Sequence, residues 1–174
     1  MSALETNNNP SDRFLQAVGG LTLSWGMIET WLDLSNAILS HDFDGRSIEP
    51  EIQRSLERKL KFIKRALAHP SLVLIRERGV RLMDALLVER FQRHRIVHGA
   101  LGSKGTPDEV EFLQIEYTSH FHKTSTIRVT TEEAIAAAQS ASIRSGQIAA
   151  FSIALWNTAK PHNPLHHPAS KVAW

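Results

Sequence analysis

Apolar residues recur at three- and four-residue steps along four segments of this chain, which is the spacing of one face of an α-helix. The clearest segment opens at Pro50, a residue that suits the first turn of a helix. Its apolar positions are Ile52, Leu56, Leu60, Ile63 and Leu67. The other three segments cover residues 11–40, 71–98 and 131–160. Helices with one apolar face bury it against each other, so the pattern predicts a helical bundle.

The segment between the last two helices has a different period. Apolar and polar residues alternate there in two runs, Leu113–Tyr117 and Ile127–Val129. Alternation of period two predicts β-strands, and the polar residues 119–125 predict the turn of a hairpin that covers residues 110–130. Thr130 and Glu133 then have the spacing of a capping box at the start of the last helix.

Together these segments predict one all-α domain over residues 11–160, an up-and-down four-helix bundle with a small β-hairpin inserted before the last helix. Gly19-Gly20 predicts a kink or break near the start of the first helix. Residues 41–50 are expected to form a loop that turns at Asp44-Gly45. Residues 1–10 and the proline-containing tail 161–174 are expected to be disordered.

Composition excludes several classes of protein. The 174 residues include no cysteine, which excludes disulfides and thiolate metal sites and leaves the cytoplasm as the expected location. No apolar run reaches membrane-spanning length, and residues 1–10 are too polar for a signal peptide or anchor. The sequence also lacks a phosphate-binding glycine loop and a G-x-S-x-G nucleophile elbow. No membrane partner is therefore expected.

Charge is segregated along the chain. Residues 1–50 carry two basic and seven acidic side chains, a net of −5, whereas residues 51–98 carry twelve basic and five acidic, a net of +7. The outer face of the second helix is basic throughout, at Arg54, Arg58, Lys61, Lys64 and Arg65. Such a segment suits an anionic partner such as nucleic acid, or it is neutralised within the fold by the acidic first helix.

Polar side chains replace apolar ones where the third helix ends. If the three- and four-residue spacing of its apolar residues is continued, the next positions are Arg90, Arg93, His94, Val97 and His98. Desolvating such groups is costly unless they are paired or used, so the end of this helix is the strongest candidate for a site. Gly99 is suited to terminate the helix, which puts His98 at the negative end of the helix dipole.

Two interpretations of this polar cluster involve no nucleic acid. The first is structural, with the cations satisfied by carboxylates such as Glu29. The second is a metal site, because His94 and His98 stand at i and i+4, a spacing that can ligate zinc. The acidic residue of the metalloprotease helix motif is missing between them, and Arg93 and Arg95 would repel a cation. No metal and no other cofactor is therefore expected.

Two further interpretations involve an anionic ligand. A histidine exchanges protons near neutrality, and a neighbouring arginine binds a phosphate through paired donors. Because RNA supplies its own nucleophile, the 2′-hydroxyl, such a pair can cleave it without a metal. The last interpretation is binding without chemistry, in which the same basic face holds an anion or a partner protein.

The residues Arg93-His94-Arg95-Ile96-Val97-His98-Gly99 match the R-x4-H motif of HEPN domains, with a polar residue directly after the arginine. The first helix, Leu23–Leu32, is similar to the aromatic-x-x-Ile-Glu pattern of many small bacterial HEPN-like proteins, through Trp25, Ile28 and Glu29. The order of the helices agrees as well, so the resemblance covers residues 11–160. On these grounds the chain resembles the HEPN superfamily.

This resemblance implies a helical homodimer in which the two R-x4-H motifs face each other across the interface. It also implies a metal-independent endoribonuclease, of the kind found in toxin–antitoxin and phage-defence systems, with an antitoxin or other regulatory protein as a further partner. His98 would transfer the proton, Arg93 would bind the phosphate, and His94 would assist. Supporting roles fall to Glu29, which would orient Arg93 by a salt bridge, and to the cations Arg90 and Arg95.

Two features depart from the family. The toxins paired with nucleotidyltransferase antitoxins carry a tyrosine two residues after the histidine, where this chain has Ala100. The hairpin over residues 110–130 is also absent from the minimal bundle. Because some members have lost catalysis, the alternative function is a non-catalytic HEPN-like module that binds a nucleotide or a protein.

Overall fold

The computed structural model describes residues 10–97, 100–101, 109–117, 122–171 and 173–174. Within these residues the helices are α1 (Pro10–Asp42), α2 (Gly45–Ile48), α3 (Leu56–Ala66), α4 (Val73–Val97) and α5 (Thr131–Ala159). The strands are β1 (Ala100–Leu101), β2 (Glu109–Tyr117) and β3 (His122–Thr130). The predicted fold class, a helical bundle with a hairpin before the last helix, is confirmed.

The chain forms two compact units. The first contains α1 residues up to Leu23 and Phe91–Ala141, and the second contains Ser24–Arg90 and Ser142–Trp174. Helices α1, α4 and α5 each contribute residues to both units. The single domain over residues 11–160 stays a prediction.

Helix α1 buries the stripe that its sequence predicts. Its inward positions Leu21, Trp25, Ile28, Leu32 and Ile38 are all buried. The helix continues without a break through Gly19-Gly20, so of the predicted kink or break, the break does not form. The cost of a glycine in a helix is about 1 kcal/mol, which burial of this stripe outweighs.

Helix α3 begins later than its apolar pattern suggests. Ser55 is the N-cap, with its hydroxyl accepting a hydrogen bond from the Arg58 amide at 3.4 Å, and the helix starts at Leu56. Pro50 therefore lies outside the helix, and Ile52 is 55% exposed instead of buried. A serine cap competes successfully with an apolar residue one turn earlier because it satisfies an amide that the helix leaves unpaired.

The expected loop before α3 contains a short helix, α2. Asp44 adopts a left-handed conformation with φ of 53°, and Gly45 follows it. A Cβ at Gly45 would lie 2.6 Å from the Leu39 carbonyl oxygen and 2.8 Å from the Phe62 ring, so only glycine fits there. The predicted turn at Asp44-Gly45 is correct, and α2 forms directly after it.

The hairpin forms an antiparallel sheet of order β1-β2-β3. Val110 pairs with Val129, and Glu111 pairs with Arg128, whose guanidinium lies 2.8 Å from the Glu111 carboxylate. Strand β3 begins at His122, so residues 122–125, expected in the turn, belong to the strand. Strand β1 adds a short third strand along β2.

The capping box at the start of α5 is confirmed. The Glu133 carboxylate accepts a hydrogen bond from the Thr130 amide at 2.8 Å, and the Thr130 hydroxyl accepts one from the Glu133 amide at 3.1 Å. Two amides that the helix cannot pair are thereby satisfied.

The C-terminal tail, residues 161–174, for which the sequence predicted disorder, makes contacts within the second unit. The Trp174 ring meets the Phe151 ring edge to face at 5.3 Å, and the Arg78 guanidinium lies 4.9 Å from the centre of the Trp174 ring. The indole of Trp156 donates to the Asn163 carbonyl at 3.0 Å. Aromatic packing holds a segment that its prolines alone would leave extended. Residues 1–9, also predicted to be disordered, lie outside the described residues.

Within the described ranges, none of the helices combines the length and the apolar content needed to cross a membrane.

Candidate functional site

The end of α4 presents three polar residues in its last turns. The helix remains continuous through Val97, so Arg93, His94 and Arg95 all have helical backbone. Arg93 is half-buried, whereas His94 and Arg95 are exposed.

The exposure of His94 corrects the prediction that it continues the inward stripe. Ile96 is the buried residue of this turn, at 6% exposure. Successive residues of an α-helix are rotated by about 100°, so a residue two positions away is turned by about 200°. With Ile96 directed into the core, His94 faces outward. Arg93, three residues before Ile96, stays at the edge of the buried face.

Arg90 has a defined partner in the second unit. Its guanidinium donates to the Glu57 carboxylate at 2.6 Å, and Lys61 lies 2.6 Å from the other oxygen of the same carboxylate. The hydrogen bond from Lys61 and the adjacent Arg90 lower the pKa of Glu57 from 4.5 to about 2. Arg90, predicted to support the site, therefore also forms a structural ion pair. The spacing of residues in the sequence did not predict this pair.

The motif histidine, His98, and Gly99 lie outside the described residues, so the geometry between Arg93 and His98 stays a prediction. Glu29 is half-buried on α1. It belongs to the second unit and Arg93 to the first, and the salt bridge between them also stays a prediction.

A cleft of about 210 Å³ lies in the first unit, beside the end of α4. Its lining comes from α4, from the end of β3 and from the first two turns of α5, at Gln92, Arg95, Ile96, Val129, Glu133, Ala136 and Ala137. The capping box fixes where α5 starts and so fixes one wall of the cleft. Arg95, a predicted supporting residue, belongs to this cleft. No functional signal in the sequence pointed to three of these residues, Gln92, Val129 and Glu133. They lie on α4, β3 and α5, and only the folded chain brings them together.

The basic face of α3 is largely neutralised. Lys61 pairs with Glu57, Lys64 with Asp84 at 2.5 Å, and Arg65 with Glu49. Of the acidic first helix, Asp33 pairs with the buried Lys59. Carboxylates from within and outside this segment therefore neutralise most of the cations on the face, and the binding of an anionic partner there stays a prediction.

Two arginines of this face keep an available charge. Among the described residues no carboxylate forms an ion pair with Arg54 or Arg58, and both are exposed. Arg58 lines an open groove with Lys61, Lys64 and Arg65. An anion can approach these two guanidinium groups without displacing an internal partner.

Within the described residues, no group of three or more histidine and carboxylate side chains is arranged to hold a metal ion. The chain was also compared with known protein families, curated proteins and solved structures, and none of them matches it.

Proposed function

We propose that this protein is a metal-independent endoribonuclease of the HEPN type, which acts as a homodimer through Arg93, His94 and His98. The observation that carries the proposal is the arrangement at the end of α4. A half-buried arginine and an exposed histidine stand side by side in the last turns of a continuous helix, with the motif histidine next in sequence after Val97.

In the proposed reaction the 2′-hydroxyl oxygen of the RNA attacks the adjacent phosphorus. The 2′-O–P bond forms while the bond from phosphorus to the 5′-oxygen of the next nucleotide breaks. His98 takes part in moving the proton from the attacking hydroxyl to the leaving oxygen. Arg93 binds the non-bridging oxygens through its fork of donors and stabilises the charge that develops on them. The products are a 2′,3′-cyclic phosphate and a 5′-hydroxyl, and DNA is not cleaved because it lacks the nucleophile.

In the proposed homodimer a second copy would bring two motifs together. Phe91 is 60% exposed and lies one turn before His94 and Arg95 on α4, and it is a side chain that such a copy would cover. The cations Arg54 and Arg58 on the basic face support an anionic substrate.

The central test is cleavage of RNA in excess EDTA by the purified protein. We expect cleavage of RNA and none of single-stranded DNA, with activity lost in His98→Ala and Arg93→Ala. Arg93→Lys should be strongly impaired, because a lysine keeps the charge but not the paired donors. His162→Ala and Arg81→Ala, at exposed positions outside the motif, serve as matched controls that should keep full activity.

Folded, dimeric wild-type protein that leaves RNA intact would contradict the ribonuclease and favour a HEPN-like binding module. Activity abolished by EDTA and restored by a divalent cation would point to a metal enzyme instead. A monomer at tens of micromolar in light scattering would contradict the shared interface. Toxicity on expression that His98→Ala relieves would support a role as a toxin or defence effector restrained by a regulatory protein.

A further inference from the structure

The cleft beside α4 has an apolar floor. Ile96, Val129 and Ala137 are buried at 6%, 3% and 8% exposure, and they come from α4, β3 and α5 respectively. Ala136 lines the cleft from an exposed position of α5. A flat apolar ring can therefore lie against side chains that are already shielded from water.

The edge of the cleft carries three polar groups with unused bonding capacity. Among the described residues, neither the Gln92 amide nor the Arg95 guanidinium has a hydrogen bond or an ion pair. In Glu133, oxygen Oε2 serves the capping box by accepting from Thr130, while Oε1 has no partner in the described part of the chain. One acceptor, one cationic donor and one amide thus converge on the apolar floor.

We propose that this cleft binds a single nucleobase bearing an exocyclic amino group, supplied by single-stranded RNA. The proposal builds on the proposed function, since it names the feature of the RNA that is recognised beside the motif. The volume fits one base: an apolar cavity of about 150 Å³ holds a benzene ring, whereas pockets for drug-sized ligands start at about 300 Å³. The cleft, at about 210 Å³, lies between these values.

The polar edge selects among the bases. The amino groups of guanine, adenine and cytosine can donate to Oε1 of Glu133, while a ring nitrogen or carbonyl oxygen accepts from Arg95. Uracil offers one ring N–H, which stands between two carbonyl oxygens that a carboxylate repels. The cleft should therefore prefer amino-bearing bases over uracil, and it should hold the strand at the end of α4 that carries Arg93 and His94.

The test is a titration of the methyl-labelled full chain with nucleoside 5′-monophosphates, followed by NMR. We expect GMP, AMP or CMP to shift the methyl signals of Ile96, Val129 and Ala136, with an affinity about 10-fold higher than that of UMP, the effect of one charge-assisted hydrogen bond. Inorganic phosphate and ribose 5-phosphate should leave these signals unchanged, which separates base binding from phosphate binding.

Two variants probe the cleft. Ala136→Trp should abolish the shifts by filling it, and Ser142→Trp, at an exposed position further along the same helix, should not. Glu133→Gln should lower the preference over UMP about 10-fold. Because glutamine also serves in a capping box, the Glu133→Gln variant should melt at the same temperature as the wild type. This variant therefore tests the contact with the base even if Ala136→Trp does not fold.

Equal shifts with all four nucleotides, or shifts that persist in Ala136→Trp, would overturn the base-binding cleft. The titration needs no cleavage, so a failure of this inference is distinguishable from a failure of the nuclease. RNA cleavage without base binding would overturn the cleft alone, and base binding without cleavage would overturn the nuclease alone.

Discussion

Arg90 on α4 donates to the Glu57 carboxylate on α3 at a distance of 2.6 Å. The pair joins two helices of the second unit at the point where the apolar stripe of α4 gives way to polar residues. The same carboxylate also meets Lys61, so one anion satisfies two cations. Part of the polar end of α4 is therefore structural, and the candidate site begins at Gln92 and Arg93.

The contacts of Glu57 with Arg90 and Lys61 predict how the free energy of unfolding depends on pH. The two cations lower the pKa of Glu57 from 4.5 to about 2 in the folded chain, so the unfolded chain takes up a proton at higher pH than the folded chain does. The stabilisation is complete above about pH 4.5 and is lost as the pH falls toward about 2. We expect Glu57→Gln to lower the melting temperature at pH 7, and the difference from the wild type to shrink over this range.

The control for this prediction is Glu77→Gln. Glu77 pairs with Arg81 within one helix, and its side chain is 82% exposed. Such exposed pairs contribute little to stability, so this variant should melt close to the wild type at every pH. A Glu57→Gln variant whose deficit stays constant between pH 5 and pH 2 would contradict the assigned role of the carboxylate.

Gly79 permits the close approach of α4 to its neighbours in the second unit. A Cβ there would lie 2.7 Å from the Phe151 ring and 2.8 Å from a methyl group of Leu67. Both neighbours are buried, so Gly79→Ala should reduce the free energy of unfolding by about 1–3 kcal/mol, measured by denaturant titration.

Gly26 is the matched control, because a Cβ added in that helical position meets no atom within 4 Å. Gly26→Ala should increase the free energy of unfolding by about 0.5–1 kcal/mol, the difference in helix propensity. If both substitutions were stabilising, the close packing around Gly79 would be wrong.

The tail contacts predict that Trp174 contributes to stability. Removing its ring breaks the packing with Phe151 and the contact with Arg78, so Trp174→Ala should lower the free energy of unfolding by about 1 kcal/mol. The exposed His162, in the same tail, serves as the control, and His162→Ala should leave the melting temperature unchanged. Equal melting of Trp174→Ala and the wild type would indicate that the tail does not pack in solution.

Arg54 and Arg58, which form no ion pair within the described residues, predict a salt effect on RNA binding. On a single strand, each phosphate contact that is lost reduces the slope of log K against log salt by about 0.7. The double variant Arg54→Ala/Arg58→Ala should therefore lower the slope by about 1.4, measured by fluorescence anisotropy with a labelled single-stranded RNA. The control, Arg81→Ala, removes a cation that already has Glu77 as partner and should keep the slope. An unchanged slope in the double variant would exclude this face from RNA binding.

Local sequence patterns predicted the features that depend on near neighbours. The stripe from Leu21 to Ile38 is buried as its spacing indicates, and the capping box joins Thr130 to Glu133, three residues later. Periodicity was less reliable where two local signals competed. Helix α3 starts after its Ser55 cap and not at the apolar Ile52. His94 faces outward because Ile96, two residues later on the same helix, is buried.

The amino-acid sequence by itself determined the helical segments, the hairpin, the capping box and the R-x4-H spacing, because each depends on residues within a few positions of one another. Only the tertiary structure decided that Arg90 pairs with Glu57, 33 positions away, and that Gln92, Val129 and Glu133 line one cleft. Which distant groups meet depends on how packed elements bring them together, and no local pattern records that choice.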